Sequence, residues 1–304
     1  MENSTTYSAQ RFFNLLKEFI ILTKPRVNLL IIFTAIVGML LAHQSHLNYE
    51  LIFFASIGIG LAASSAAIIN HVIDQDIDSI MDRTKSRPLV KGLIKPLHAI
   101  YFAIFLSITS IFLLYVLVNT LTAVLTFFTI IIYSFIYSVY LKNLTSQNIV
   151  IGGIAGAMPP LLGWTSITNQ IEPFPLILFL IIFFWTPPHF WALSVYRYND
   201  YKNANVPMLP NVSSIEDTKK QIVYYAVILI LSSYLPYLDS NVGIIYLTIV
   251  TILNLLLFNS SLKLKKSREK KSIPNSEGLK FFAISILYLF SLFSALLIDH
   301  VVLR

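Results

Sequence analysis

The sequence predicts an all-α membrane protein, a polytopic bundle of about nine transmembrane helices. Hydrophobic residues make up 56% of the 304 positions and charged residues 12%, against roughly 45–50% and 25% in soluble domains. The mean hydropathy is +0.72. The apolar runs are longer than the roughly 9–11 residues of a membrane β-strand. Cysteine is absent from the sequence, which excludes disulfides, thiolate metal sites and a cysteine nucleophile.

Nine apolar segments reach the roughly 20 residues that a membrane-spanning helix needs. Connections rich in Lys and Arg alternate with connections that have none, so that every cation except Arg304 falls on one side. The positive-inside rule therefore predicts a cytoplasmic N-terminus and an outside C-terminus. We expect a cytoplasmic tail over 1–18 and a single transmembrane domain over 19–304. The predicted spans are 23–43, 50–73, 98–118, 120–140, 147–166, 174–196, 221–238, 242–262 and 278–299.

A row of polar side chains ends the second span. Asn70, Asp74 and Asp78 are each four residues apart and lie on one face of a continuing helix, and Asp82 extends the row by another turn. Aligned carboxylates repel one another unless cations lie among them. Oxygen ligands at the mouth of a bundle suit Mg²⁺, which takes one or two carboxylates and completes its shell with water and phosphates.

The alternative is an acidic helix that its own following cations, Arg83, Lys85 and Arg87, neutralise. The spacing alone leaves both interpretations open. The two arginines favour a binding site, because a guanidinium matches phosphate oxygens with two parallel hydrogen bonds. Carboxylates for Mg²⁺ beside arginines for the same anion are typical of a diphosphate site.

The pattern N-x-x-x-D-x-x-x-D followed by R-T-x-x-R-P, at the cytoplasmic end of the second of nine spans, resembles that of the UbiA-type intramembrane prenyltransferases. In that family the motif binds the Mg²⁺–diphosphate of an isoprenoid donor. The resemblance implies that Asp74 and Asp78 hold Mg²⁺ with the help of Asn70. It implies that Arg83 and Arg87 contact the diphosphate.

Further stretches narrow the resemblance to the branch of the family that prenylates haem: T-K-P-R-V at 23–27, the glycine-rich 148–164, W-T-P-P-H-F-W at 185–191 and V-P-M-L-P at 206–210. This resemblance implies farnesyl diphosphate and haem B as substrates, haem O as product for terminal oxidases, and a multi-pass protein of the cell (inner) membrane whose site faces the cytoplasm. The implied partners are the lipid bilayer and a haem A synthase or oxidase assembly partner, and not nucleic acid. Lys24, Arg26 and Lys142 are further diphosphate cations by the same analogy.

The sequence departs from the family pattern after the sixth span. Many relatives carry a second D-x-x-x-D there, whereas this chain has a single acid, Asp200, beside Arg197, Asn199 and Lys202. The number of Mg²⁺ ions is therefore open. Arg197 and Lys202 are candidates to neutralise the diphosphate directly, and the alternative is that they only set the topology.

The sixth span contains Pro187-Pro188, which we expect to break the helix and free backbone carbonyls. His189 then lies at membrane depth, where an ionisable side chain faces the bundle interior. It could ligate haem, carry a proton, or bond to a neighbouring helix as a neutral histidine. His71, one residue round the helix from Asn70, is expected to be structural. Three tyrosines are expected to pack in an interface belt: Tyr133, Tyr137 and Tyr140.

Two other functions stay open. The acceptor could be a quinone precursor or a chlorophyll-type ring, because the diphosphate motif reports only the donor, although the missing second D-x-x-x-D and the P-P-H-F-W stretch argue against both. A transporter whose acidic row binds a coupling cation is the second alternative. Transporters place such charges near the midplane, whereas these acids cluster at one end, which favours an enzyme.

Overall fold

The computed structural model describes residues 2–42, 48–238, 242–267 and 275–302, and every regular element in these ranges is helical. A π-helical segment, Ile132–Leu141, continues the sixth helix. The helices are α1 (Glu2–Leu22), α2 (Pro25–Leu41), α3 (Tyr49–Ile73), α4 (Gln75–Ile80), α5 (Pro96–Leu117), α6 (Thr120–Ile131), α7 (Lys142–Leu144), α8 (Asn148–Ala157), α9 (Pro159–Thr168), α10 (Pro173–Tyr196), α11 (Tyr198–Asn203), α12 (Leu209–Val212), α13 (Ile215–Ser232), α14 (Leu235–Leu238), α15 (Ile244–Lys266) and α16 (Ser276–Val302).

The prediction of about nine spans is confirmed. Eight helical segments in the described ranges are long and apolar enough to cross a membrane, and a ninth forms if Phe13–Leu22 and Pro25–Leu41 count as one bent span. The two halves of that span meet at 54°. Lys24 lies at the bend with a left-handed φ of 50°, and Pro25 then starts α2. The helix α1 runs through position 18, so the predicted boundary between tail and domain lies inside a helix.

Two predicted spans differ in their internal structure. The fifth is divided at Met158, ahead of Pro159, into α8 and α9. The sixth was predicted to break at Pro187-Pro188, and this prediction is wrong, since α10 is continuous through both prolines. Both rings are buried against the rest of the bundle. A helix enclosed in this way tolerates the two missing N–H donors, because its neighbours hold the backbone in place.

The helices α2 and α9 touch backbone to backbone. A Cβ atom on Gly38 would lie 2.2 Å from the carbonyl oxygen of Pro160, and one on Gly163 would lie 2.0 Å from that of Ala35. Small residues allow this approach between membrane helices. The contact fixes α2, and with it the Lys24 turn, against the middle of the bundle.

Hydroxyl groups join α3 to α5. Ser65 Oγ donates to the carbonyl of Ala103 at 2.8 Å, and Ser110 Oγ donates to that of Gly58 at 2.6 Å. Because these donors satisfy carbonyls across a helix interface, they hold the two helices at close range. These two bonds therefore hold α3, the helix that leads into the acidic row, against α5.

The close α2–α9 contact predicts that Gly163→Ala destabilises the fold. The added methyl group would overlap a backbone oxygen that has no rotamer by which to move away. We expect a loss of at least about 2 kcal/mol of folding free energy, seen as a lower thermal unfolding midpoint in detergent. Gly156→Ala is the matched control, since nothing lies within 4 Å of its Cβ position. Equal midpoints for the two variants would contradict the prediction.

Candidate active site

The predicted row of polar side chains exists and is buried. Asn70, Asp74 and Asp78 are 6%, 4% and 4% exposed. The amide of Asp74 donates to the carbonyl of Asn70 at 3.0 Å, and that of Asp78 to Asp74 at 2.8 Å, so the helical path continues from α3 into α4. The fourth expected member departs from the row. The helix ends before Asp82, which is exposed and pairs with Lys85 at 2.6 Å.

Lysines from two distant segments contact Asn70 and Asp74, the first two members of the row. Lys142 Nζ lies 2.5 Å from Asp74 Oδ2, and Lys24 Nζ donates to Asn70 Oδ1 at 2.7 Å. The Asn70 amide donates to Asp74 Oδ2 at 2.8 Å and lies 3.5 Å from Ser138 Oγ. The left-handed turn at Lys24 and the end of the π-helical segment bring these two ammonium groups together.

The second half of the row is held by the segment after α4. Arg87 forms an ion pair with Asp78, so the carboxylate and the arginine that sequence reasoning assigned to one site are in contact. Thr84 accounts for the geometry. Its hydroxyl donates to the carbonyl of Asp78 at 3.1 Å, and its own carbonyl accepts from the amide of Arg87 at 2.9 Å. Sequence reasoning recorded Thr84 in the motif without giving it a role.

The π-helical segment places two tyrosines beside the acidic row. Ser138 Oγ donates to the carbonyl of Tyr133, five residues earlier, at 2.9 Å. The rings of Tyr133 and Tyr137 lie 5.5 Å apart, and the charge of Asp74 acts on both phenols. Tyr140 is 62% exposed. Tyr133 and Tyr137 are partly buried and lie closer to the site than an interface position implies, whereas the interface role of Tyr140 stays a prediction.

The segment after α10 approaches the acidic end from the opposite side. Arg197 pairs with Asp200 at 3.5 Å, and Lys202 is exposed with its ammonium 5.8 Å from the ring of Tyr198. Asn199 is also exposed. The single acid of this segment is therefore already paired with a neighbour on its own short helix.

Tyr201 is a residue that sequence reasoning missed. It is 9% exposed, and burial raises the pKa of its hydroxyl while the nearby Arg83 guanidinium acts in the opposite direction. The Asp82–Lys85 hydrogen bond has the largest effect on the pKa of both groups. The charge of Arg197 also lowers the pKa of Asp82, and that of Asp200 also raises the pKa of Lys85. The loop after α4 and the segment after α10 therefore face one another. The signal that the sequence offered was the residue type, an aromatic ring with a polar hydroxyl that usually finds a partner when it is buried.

His189 is buried in a different part of the bundle. Its Nδ1 shares a 2.7 Å hydrogen bond with Ser285 Oγ on α16. The ring stacks between Trp185 and Phe282, with centroid distances of 4.1 and 4.4 Å. This arrangement fits the interpretation as a neutral histidine bonded to a neighbouring helix, and haem ligation stays a prediction.

The predicted site residues thus fall into two groups. A cluster defined by its mutual contacts, called the buried cluster after its buried members Asn70, Asp74 and Asp78, also contains three partly buried cations: Lys24, Arg87 and Lys142. Of the other predicted residues, Arg26, Arg83, Asn199 and Lys202 are exposed, Arg197 and Asp200 are partly buried, and His189 lies in a different part of the bundle.

The oxygen atoms of the buried cluster are suited to a Mg²⁺ ion that also binds phosphate. Asp74 Oδ1 is buried and has no hydrogen-bond partner among the described residues. Among the described residues, no three His, Asp or Glu side chains form a group that could hold a metal ion by itself. Mg²⁺ commonly takes only one or two carboxylates and fills its shell with water and substrate phosphates, so the donor set fits this ion.

A helical membrane bundle with a buried carboxylate–cation cluster at one end is typical of an intramembrane enzyme whose substrate has a charged head and an apolar tail. A model of the UbiA prenyltransferase family matches residues 31–293, and the chain belongs to this family. It is 49% identical over 284 residues to "Protoheme IX farnesyltransferase" of Legionella pneumophila (strain Lens), covering 93% of this chain and 95% of the relative. The protein of the same name from Alcanivorax borkumensis is 47% identical over 286 residues, with 93% of each chain covered.

Solved structures share the fold. A digeranylgeranylglyceryl phosphate synthase structure matches with a TM-score of 0.77 at 19% identity, covering 94% of this chain and 99% of that one. A UbiA homologue from Archaeoglobus fulgidus bound to GPP and Mg²⁺ matches with a TM-score of 0.63 at 17% identity, covering 92% and 99%. The chain is therefore a multi-pass membrane prenyltransferase with the UbiA fold.

The Lys142–Asp74 pair predicts a distinctive pattern of stability changes. Lys142→Met removes the cation from a carboxylate that is 5% exposed, and we expect a loss of roughly 3 kcal/mol because Asn70 still donates to Asp74. The double variant Asp74→Asn/Lys142→Met removes both charges of the pair and should unfold closer to wild type. Lys220→Met is the matched control, since its pair with Asp217 is exposed. A double variant no more stable than Lys142→Met would contradict this account.

Proposed function

We propose that this prenyltransferase transfers the farnesyl group of farnesyl diphosphate to a vinyl group of protohaem IX (haem B), giving haem O. The observation that carries the proposal is the 49% identity, over 93% of the chain, to a protein named protohaem IX farnesyltransferase. The buried carboxylate–cation cluster supports it, because a prenyl diphosphate needs such groups around its charged end and an apolar bundle around its tail.

The donor's diphosphate would bind at the buried cluster together with Mg²⁺, which Asp74 and Asp78 would hold with the help of Asn70. A related UbiA homologue has been solved with a prenyl diphosphate, GPP, and Mg²⁺. Bound there, the metal would supply positive charge to the leaving diphosphate. The free, buried Oδ1 of Asp74 supports this assignment.

The cations of the cluster would stabilise the leaving group. The bond between C1 of the farnesyl chain and the diphosphate oxygen breaks, and the diphosphate departs with the electron pair. Lys24, Lys142 and Arg87 already point their donors at the acidic row, and charge-assisted bonds to the departing oxygens lower the barrier. Arg83, Arg197 and Lys202 would add positive charge at the rim, and Arg26 would do so at the start of α2.

The farnesyl cation then adds to the vinyl group of haem B through a new carbon–carbon bond. Water attacks the resulting cation and loses a proton, which leaves a hydroxyethylfarnesyl substituent. The surrounding helices would protect the first cation from hydrolysis by excluding water from the apolar bundle. His189 remains a candidate haem contact, and its bond to Ser285 leaves Nε2 as the ring atom for that role.

The proposal includes a location and partners. The cation-rich loops favour a cell (inner) membrane protein with a cytoplasmic N-terminus, a C-terminus outside and the site at the cytoplasmic surface. Haem O is a precursor for terminal oxidases, so a haem A synthase or an oxidase assembly protein is the expected partner.

The direct test is to incubate the purified protein with farnesyl diphosphate, Mg²⁺ and haem B and to measure the mass of the haem product. We expect haem to gain the mass of one farnesyl group and one hydroxyl group. Asp74→Asn keeps the side-chain shape but removes the charge, and it should lower turnover at least about 100-fold. Unmodified haem, or prenylation of a quinone precursor in its place, would contradict the proposed acceptor.

The proposed orientation is testable because the chain lacks cysteine. Single cysteines would replace Lys85 on the loop after α4 and Gln170 on the loop after α9, both of which are exposed. In intact cells an impermeant maleimide should label the cysteine at 170, and it should reach the cysteine at 85 only after permeabilisation. The reverse pattern would overturn the topology.

A further inference from the structure

His71 is a buried histidine without a hydrogen-bond partner. The residue is 3% exposed, and neither Nδ1 nor Nε2 has a partner among the described residues. Buried polar side-chain atoms in folded proteins are nearly always hydrogen-bonded. Two unpaired ring nitrogens on one side chain therefore require an explanation.

The position of His71 supplies one. It follows Asn70 directly in the last turn of α3, and the side chains whose charges act on it are Lys24, Arg87 and Arg83. Lys24 and Arg87 belong to the buried cluster, and Arg83 lies at its rim. The imidazole is thus within electrostatic range of three cations to which the proposed function assigns the donor's diphosphate.

A second histidine in the same chain shows what a structural histidine looks like here. His189 is 6% exposed, yet its Nδ1 is bonded to Ser285 and its ring is stacked between two aromatic side chains. The bundle therefore provides a partner for the ring of His189. At His71 no side chain or carbonyl of the described residues fills that role.

We infer that His71 is a substrate-binding residue whose ring N–H donates a hydrogen bond to an anionic oxygen of the prenyl diphosphate. A neutral imidazole presents one donor and one acceptor, and the neighbouring cations favour an anionic acceptor for that donor. Bonds of this kind to a charged acceptor are stronger than bonds between neutral groups. The inference rests on the proposed function only in taking a diphosphate as the ligand. It replaces the sequence expectation that His71 is structural.

The inference predicts opposite effects on stability and on binding. His71→Leu removes two unpaired buried polar atoms, so the thermal unfolding midpoint in detergent should rise. The same change should weaken binding of inorganic pyrophosphate with Mg²⁺ by roughly 10- to 150-fold, the range for one hydrogen bond to a charged group. The KM for farnesyl diphosphate should rise with little change in kcat, and the KM for haem B should stay constant.

His98→Leu is the matched control, since His98 is exposed on the first turn of α5, and it should alter neither property. His71→Asn and His71→Gln place an amide donor near the position of one ring nitrogen or the other, and one of them should recover part of the pyrophosphate affinity. Should the leucine variant fail to fold, these two variants carry the test, because an N–H donor must restore binding in at least one of them.

Three results would overturn the inference. The first is unchanged pyrophosphate affinity in His71→Leu, which would make the residue structural. The second is a KM increase for haem B alone, which would assign the imidazole to a haem carboxylate. The third is loss of affinity in all variants without any rescue by an amide. Pyrophosphate binding is measured without an acceptor, so a failure of the proposed haem chemistry would leave this test valid.

Discussion

Two carboxylates buried at the end of a membrane helix are the constraint around which this bundle is organised. Asp74 and Asp78 are each 4% exposed, and an unpaired charge in that setting would cost several kcal/mol. The cations that compensate them come from widely separated parts of the chain. Arg87 arrives by the turn that Thr84 holds, and Lys142 arrives from the end of the π-helical segment. The acidic row therefore requires the surrounding helices to converge on it.

The irregular backbone of the molecule is concentrated where this convergence demands it. A regular helix through Lys24 would not bring its ammonium to Asn70, and the left-handed turn with a 54° bend does. The π-helical segment likewise sets the register in which Ser138 and Lys142 meet the acidic row. Strained or unusual backbone persists only where surrounding contacts determine it. The close α2–α9 contact at Gly38 and Gly163 holds the helix that follows the Lys24 turn.

The sequence could predict features that depend on local periodicity but not those that depend on packing between distant segments. Hydropathy gave the spans, and four-residue spacing gave the row of Asn70, Asp74 and Asp78, because both depend on local periodicity. The pairing of Asp74 with Lys142 joins residues 68 positions apart, and no local pattern encodes it. The π-helical register and the continuity of α10 through two prolines depend on packing in the same way. Tyr201 was given no role and His71 only a structural one, because their type and neighbours in sequence are ordinary and only burial distinguishes them.

The same constraint accounts for the departure from the family's second acidic motif. A second pair of carboxylates facing the first row would add negative charge to a region that already draws cations from several segments. The segment after α10 instead carries Arg197 and Lys202 with one acid, Asp200, which forms an ion pair with Arg197. Under the proposed function, a leaving diphosphate meets a guanidinium and an ammonium group on this side, where many relatives carry a second pair of carboxylates. Positive charge near the departing oxygens stabilises the charge that develops, so this loop can serve the same chemical step without a second pair of carboxylates.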